Sequence, residues 1–120
     1  MIVWVSAWFI KYFTPKNIGG ISIFPFIIVE NQDIKKDKIF INHEKIHIWQ
    51  QLEMLIILFY IWYGLEFLIL WLKYKNGFKA YRNISFEQEA YAHELDLNYL
   101  KNRKLFSFIK YLKIGSKIDE

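Results

Sequence analysis

Between Met54 and Leu72 every residue is apolar, aromatic or glycine except Glu66. A helix of about 20 apolar residues suffices to cross a bilayer; in a soluble chain such a run must become the centre of the core. Basic residues stand on both sides, Lys35, Lys36, Lys38 and Lys45 before it and Lys73, Lys75, Lys79 and Arg82 after it. The positive-inside rule places both flanks on the cytoplasmic side, which a single crossing cannot do. The expectation is an apolar helical hairpin that turns near Tyr63-Gly64 and is set in or on a membrane. Glu66 then reads as an exposed break beside the turn, because acids inside a bilayer are costly; the alternative is a buried carboxylate near a functional site.

Just upstream, Asn42-His43-Glu44-Lys45-Ile46-His47 contains His-Glu-x-x-His. The surrounding Ile39–Leu52 stretch reads as a helix, with Asp37 available to cap it. A helix advances about 100° per residue, so His43 and His47 lie one turn apart on one face. Two imidazoles so placed can ligate one Zn²⁺. Glu44 points about 100° away, off the ligand axis but able to take a proton from a water that the metal activates. A motif this short also arises by chance, so a third ligand decides between a site and an accident.

Downstream, Ser85 followed by Gln88 reads as a capping box, which puts Glu87 in the first turn of a new helix. With His43, Glu44 and His47 ahead of it, Glu87-Gln88-Glu89-Ala90-Tyr91 resembles the second motif of the gluzincins. These are zinc metallopeptidases with His-Glu-x-x-His on one helix and a glutamate ligand on a later one. Their motif often runs Glu-x-x-Ala-Asp, and Tyr91 occupies the Asp position, where the family usually braces the ligand shell. The resemblance implies Zn²⁺ held by His43, His47 and Glu87, with Glu89 in reserve and Glu44 as general base. The other common zinc pattern is not met, because Gln50 takes its glycine position and Glu53 its last histidine. Gln50 lies on the histidine face and either orients His47, lines the cleft or packs. Tyr91 and His93 either donate to a reaction oxyanion or serve as packing and surface residues.

The chain of 120 residues suggests one domain spanning 1–120. It has no cysteine, which leaves histidine and carboxylate as its strong zinc ligands. The formal charge of +4 comes without a nucleic-acid-binding signature, so no nucleic acid is expected as partner. At the N-terminus, Ile2–Ile10 and Ile21–Val29 read as strands joined through Asn17-Ile18-Gly19-Gly20. Pro25 confines the second to an edge or a bulge. Such a hairpin either covers the helices or captures an extended peptide. At the other end Leu105, Phe108, Ile109 and Leu112 recur at helical spacing among Lys101, Arg103, Lys104, Lys110 and Lys113. They read as a basic amphipathic helix on an anionic membrane or on the core.

The expected fold is mainly α (α+β). It has an N-terminal β-hairpin, a His-Glu-x-x-His helix running into an apolar helical hairpin, a Glu-bearing helix and a basic C-terminal helix. The expected function is that of a zinc-dependent hydrolase, a metallopeptidase acting on peptide or protein at the membrane, its site facing the cytoplasm and lipid a partner. The alternative is a non-enzymatic membrane or interaction protein whose motif is accidental or degenerate.

Overall fold

The computed structural model describes residues 2–15 and 18–112, which form a mainly helical fold with one small sheet at its N-terminal end. In order these are β1 (Ile2–Val5), α1 (Ala7–Phe13), β2 (Gly20–Ile23), β3 (Phe26–Val29), α2 (Gln32–Lys36), α3 (Lys38–Glu53), α4 (Ile57–Tyr74), α5 (Gly77–Asn83), α6 (Ser85–His93) and α7 (Tyr99–Asn102), followed by a 3-10 turn at Ser107–Tyr111.

The N-terminal element is not the hairpin expected. Ser6 accepts a hydrogen bond from the Phe9 amide and starts α1 inside the stretch that reads as one continuous strand. The second apolar run is itself the hairpin, folded at Phe24-Pro25 into β2 and β3. Pro25 lacks an amide proton and so sits in the turn, just ahead of the central strand. The sheet order is β1-β3-β2, with β1 parallel to β3 and β2 antiparallel to it. Asn17, part of the expected turn, lies outside the described residues. Gly20 opens β2 against α3, where a Cβ would come within 2.7 Å of the Phe40 ring.

Asp37 caps α3 as expected, accepting from the amides of Ile39 and Phe40. The apolar run then departs from expectation. α4 passes through Gly64 without a break, and the chain turns instead at Leu55 and Ile56, both with positive φ. One glycine costs a helix only about 1 kcal/mol, less than is gained by docking Phe59, Trp62, Tyr63 and Leu70 on the core built around Phe86 and Phe108. A helical hairpin does exist, but it turns at Lys75-Asn76, where Lys75 is left-handed and Asn76 caps α5. α5 returns along α4, so His47 and Glu87 meet beside the middle of α4 and not at its two ends. α4 is long and apolar enough to cross a membrane, and only 17% of it is buried.

Glu66 is fully buried, not an exposed break. Its carboxylate accepts from the Ser85 amide, the Ser85 hydroxyl and the Trp62 indole, and thereby caps α6 from outside. The expected capping box does not form, because Ser85 already lies inside the helix and Gln88 donates to the Arg82 carbonyl.

The basic C-terminal helix is also absent among the described residues. Arg103 is extended and turns inward to Glu53 and Glu89, and Phe106 is left-handed so that its amide can reach Glu53. Phe108 is buried while Leu105 and Ile109 are exposed; Lys113 lies outside the described residues.

An unbroken α4 makes a sharp prediction. A Cβ at Gly64 meets nothing within 4 Å, so Gly64→Ala should raise stability by about 0.5–1 kcal/mol in urea titrations. A turn at Gly64 would make the same change destabilising.

Candidate metal centre

His43, Glu44 and His47 are buried together on α3, with ligand atoms close enough to share a metal ion. Glu87, in the first turn of α6, completes the group. Its Oε1 lies 3.2 Å from His43 Nε2 and 3.0 Å from His47 Nε2, and the two nitrogens are 3.2 Å apart. Atoms bound tetrahedrally at about 2.0–2.1 Å from one ion stand about 3.3 Å from each other. The triangle has that size.

The protons are placed by what lies behind each ring. His43 Nδ1 is 2.9 Å from Glu94 Oε2; a carboxylate only accepts, so Nδ1 carries the hydrogen. His47 Nδ1 is 2.8 Å from Gln50 Oε1. That amide is oriented by its own NH₂, which donates to the Phe86 carbonyl and to Glu89, so again Nδ1 donates. Two neutral rings therefore aim Nε2 lone pairs at each other and at a carboxylate oxygen. Such a group holds together only around a positive charge, a proton or a metal ion. His47 Nε2 is the nearer of the two ring nitrogens to Glu87 Oε1, at 3.0 Å. Burial lowers its pKa, but the facing Glu87 carboxylate outweighs burial and lifts it to about 9. Burial likewise raises Glu87, and the His47 charge with both imidazole contacts overrides it, holding that carboxyl well below the usual range.

Each ligand is braced. Tyr63 of α4 donates to Glu87 Oε2 at 2.6 Å, leaving Oε1 to face the imidazoles. Asn42 donates to the carbonyls of Glu94 and Asp96 at 2.8 and 3.0 Å, which fastens the end of α6 to α3 and brings Glu94 behind His43. Glu89, the reserve ligand, is committed elsewhere: Tyr99, Gln50 and Arg103 all donate to it. Arg103 also makes a paired contact with Glu53, at 3.0 and 2.7 Å.

Tyr91, in place of the bracing Asp, packs its ring edge-on against His43 and shares a hydrogen bond with the Tyr81 hydroxyl. The Arg82 guanidinium covers it. The carboxylate behind His43 comes from Glu94 instead. His93 is not at the site, since it stacks on Tyr99 and bonds the Tyr111 hydroxyl. Glu94, Tyr63, Asn42 and Tyr81 were missed by sequence reasoning, and no local signal marks them.

A cleft of about 150 Å³ opens onto His43 and Glu44, bounded by Gly19-Gly20, Phe40, Tyr81, Tyr91 and Glu94. Glu44 Oε2 lies 4.0 Å from His43 Nε2. Burial pushes its pKa up, against the pull of His47 and His43. β2 is the sheet edge beside the cleft, but Gln51 and Tyr60 donate to the Ser22 carbonyl, and Gln51 also accepts from the Phe24 amide. The edge is thus covered from Ser22 to Phe24, and its approach to the cleft is at Gly20.

Glu94→Ala should weaken divalent-metal binding roughly 10–100-fold in competition titrations, the usual cost of losing an outer partner of a ligand. Arg103→Met, which strands two buried carboxylates, should cost about 3–5 kcal/mol in denaturant unfolding, whereas Lys104→Met at the exposed neighbour should stay within about 0.5 kcal/mol.

Comparison with protein-family models, with curated proteins and with solved structures finds no match to this chain.

Proposed function

We propose that the protein is a zinc-dependent hydrolase, a gluzincin-like metallopeptidase that acts at a membrane surface. One observation carries this reading: three atoms able to ligate a metal, His43 Nε2, His47 Nε2 and Glu87 Oε1, converge within 3.2 Å, with Glu94 and Gln50 behind the two rings to take their Nδ1 hydrogens. Imidazole and carboxylate without thiolate is the donor set of catalytic zinc sites, and three protein ligands leave a fourth position open. Zinc there would lower the pKa of water and polarise a carbonyl oxygen.

The chain's own residues supply the rest. Glu44 stands at the cleft beside the ligands without being tied to them, and burial raises its pKa in the direction a general base needs near neutrality. It accepts the proton of the attacking water and returns it to the leaving amine. Tyr81 lines the cleft with its hydroxyl paired to Tyr91, and one of these two phenols would donate to the carbonyl oxygen as charge develops. Phe40, Tyr91 and Ile18 make the remainder of the wall apolar or aromatic, which suits the side chains of a peptide. The basic residues on both flanks of α4 support a cytoplasmic site.

The experiment is zinc content and peptide hydrolysis of five variants beside the wild type. His43→Ala, His47→Ala and Glu87→Ala should lose the roughly one zinc per chain that the wild type holds, and Glu89→Ala should keep it unless the fold is lost. Glu44→Gln should keep zinc and lose about 10²–10⁴-fold in cleavage of a fluorogenic peptide mixture. Full zinc in the histidine variants, or unchanged cleavage by Glu44→Gln, would overturn the reading.

A further inference from the structure

The surface of α4 asks for an occupant. Leu58, Ile61, Leu65, Leu68 and Leu72 are each 50–55% exposed, and Ile57 and Trp71 join them. At about 100° per residue, the exposed side chains from Phe67 round to Leu58 cover about 180° of the helix. The opposite side, Phe59, Trp62, Tyr63, Glu66 and Leu70, faces the protein. Patches of this extent are rarely left in water by a monomer.

We propose that α4 lies in the plane of one leaflet of an anionic bilayer, its outer half among the acyl chains, so that the metal site stands directly above the membrane surface. This deepens the membrane part of the function proposed above and does not depend on the zinc part.

Lipid fits better than a second copy of the chain. A seam between two helices is a narrow stripe, whereas about 180° of continuous apolar surface matches a solvent that contacts the helix from every direction. Tyr60 and Trp71, both half exposed, lie at about 100° per residue beside Phe67, along one border of the apolar face, where a helix in the plane meets the lipid–water boundary. Exposed Lys73 and Lys75 follow at the C-terminal end, where anionic headgroups would meet them.

Lying in the plane fits better than crossing. At 18 residues α4 is about 27 Å long, enough to cross. Its midpoint, however, is bound to the site: Tyr63 reaches Glu87, and Glu66 reaches Ser85. A crossing helix would carry His43, Glu44, Glu87, Glu94 and Arg82 to the middle of the acyl region, and each ionisable group there is costly. In the plane, only the outer stripe enters, to the depth of about 5–10 Å usual for interfacial helices. An isolated interfacial helix needs a polar face of its own; here the protein body takes its place.

The chain has no cysteine, so single cysteines can be labelled cleanly. Full-length Leu58→Cys, Leu65→Cys and Leu72→Cys, each carrying a fluorophore, would be added to vesicles of phosphatidylcholine with one-third phosphatidylglycerol. Lipids quenching at known depths then locate each label. All three should lie at one shallow depth, and omitting phosphatidylglycerol should weaken binding several-fold. A deep label in the Leu65→Cys variant, between two shallow ones, would show crossing and overturn the proposal. So would absence of vesicle binding. So, too, would a disulfide-linked dimer of unlabelled Leu65→Cys in lipid-free buffer, if the labelled variant were also shielded from lipid. Ile61→Glu/Leu65→Glu should cut vesicle binding more than 10-fold. Zinc content measured on the same samples separates this result from the metal reading, which loss of lipid binding leaves standing.

Discussion

Three electron-pair donors packed against one another repel, and this repulsion is the constraint around which the structure is arranged. His43 Nε2, His47 Nε2 and Glu87 Oε1 need a positive charge between them, and each is aimed at it from behind: Glu94 and Gln50 fix the imidazole hydrogens, and Tyr63 occupies the second carboxylate oxygen. Those braces need braces in turn. Asn42 ties down the end of α6, Glu66 caps its start, and Arg103 neutralises Glu89 and Glu53 beneath Gln50. Among the described residues no buried side-chain nitrogen or oxygen lacks a partner. A polar interior that is fully satisfied is rigid, and rigidity of the donors is what a metal site requires.

The burial of so many acids explains the size of the helical frame. Glu44, Glu66, Glu87 and Glu89 are all nearly inaccessible, and each would be expensive alone. They are sustained by hydroxyl, indole, amide, imidazole and guanidinium donors from several helices and the segment after α7. The aromatic residues fill the space between: Phe59, Phe86 and Phe108 pack in sequence as tilted rings, with Trp62 edge-on to the last. Packing and polar satisfaction therefore meet on the same few residues of α4 and α6.

His43, His47 and Glu87 were legible because two of them obey helical spacing and the third opens the next polar helix after the apolar run. Asp37 was legible as a cap for the same local reason. Glu94, Tyr63 and Asn42 were not, since their roles depend on contacts 51, 24 and 52 residues away in the chain. Gly64 misled because a helix with enough side chains docked on a core tolerates one glycine, and Glu66 because a carboxylate in an apolar run looks solvated until its donors are placed. Arg103 was hidden among lysines. Its neighbours face solvent, and nothing local distinguishes the cation that turns inward to Glu53 and Glu89.

The contact between Arg103 and Glu53 joins residues 50 apart, and it has a consequence for how the protein comes into being. Closing a long loop is slow compared with winding a helix, and α3 is synthesised well before its counter-ion. Until Arg103 is made, Glu53 and Glu89 are acids without their counter-ion, and the histidine helix lacks that support. The candidate site therefore assembles late: its support waits until Arg103 has been made and has reached Glu53 and Glu89.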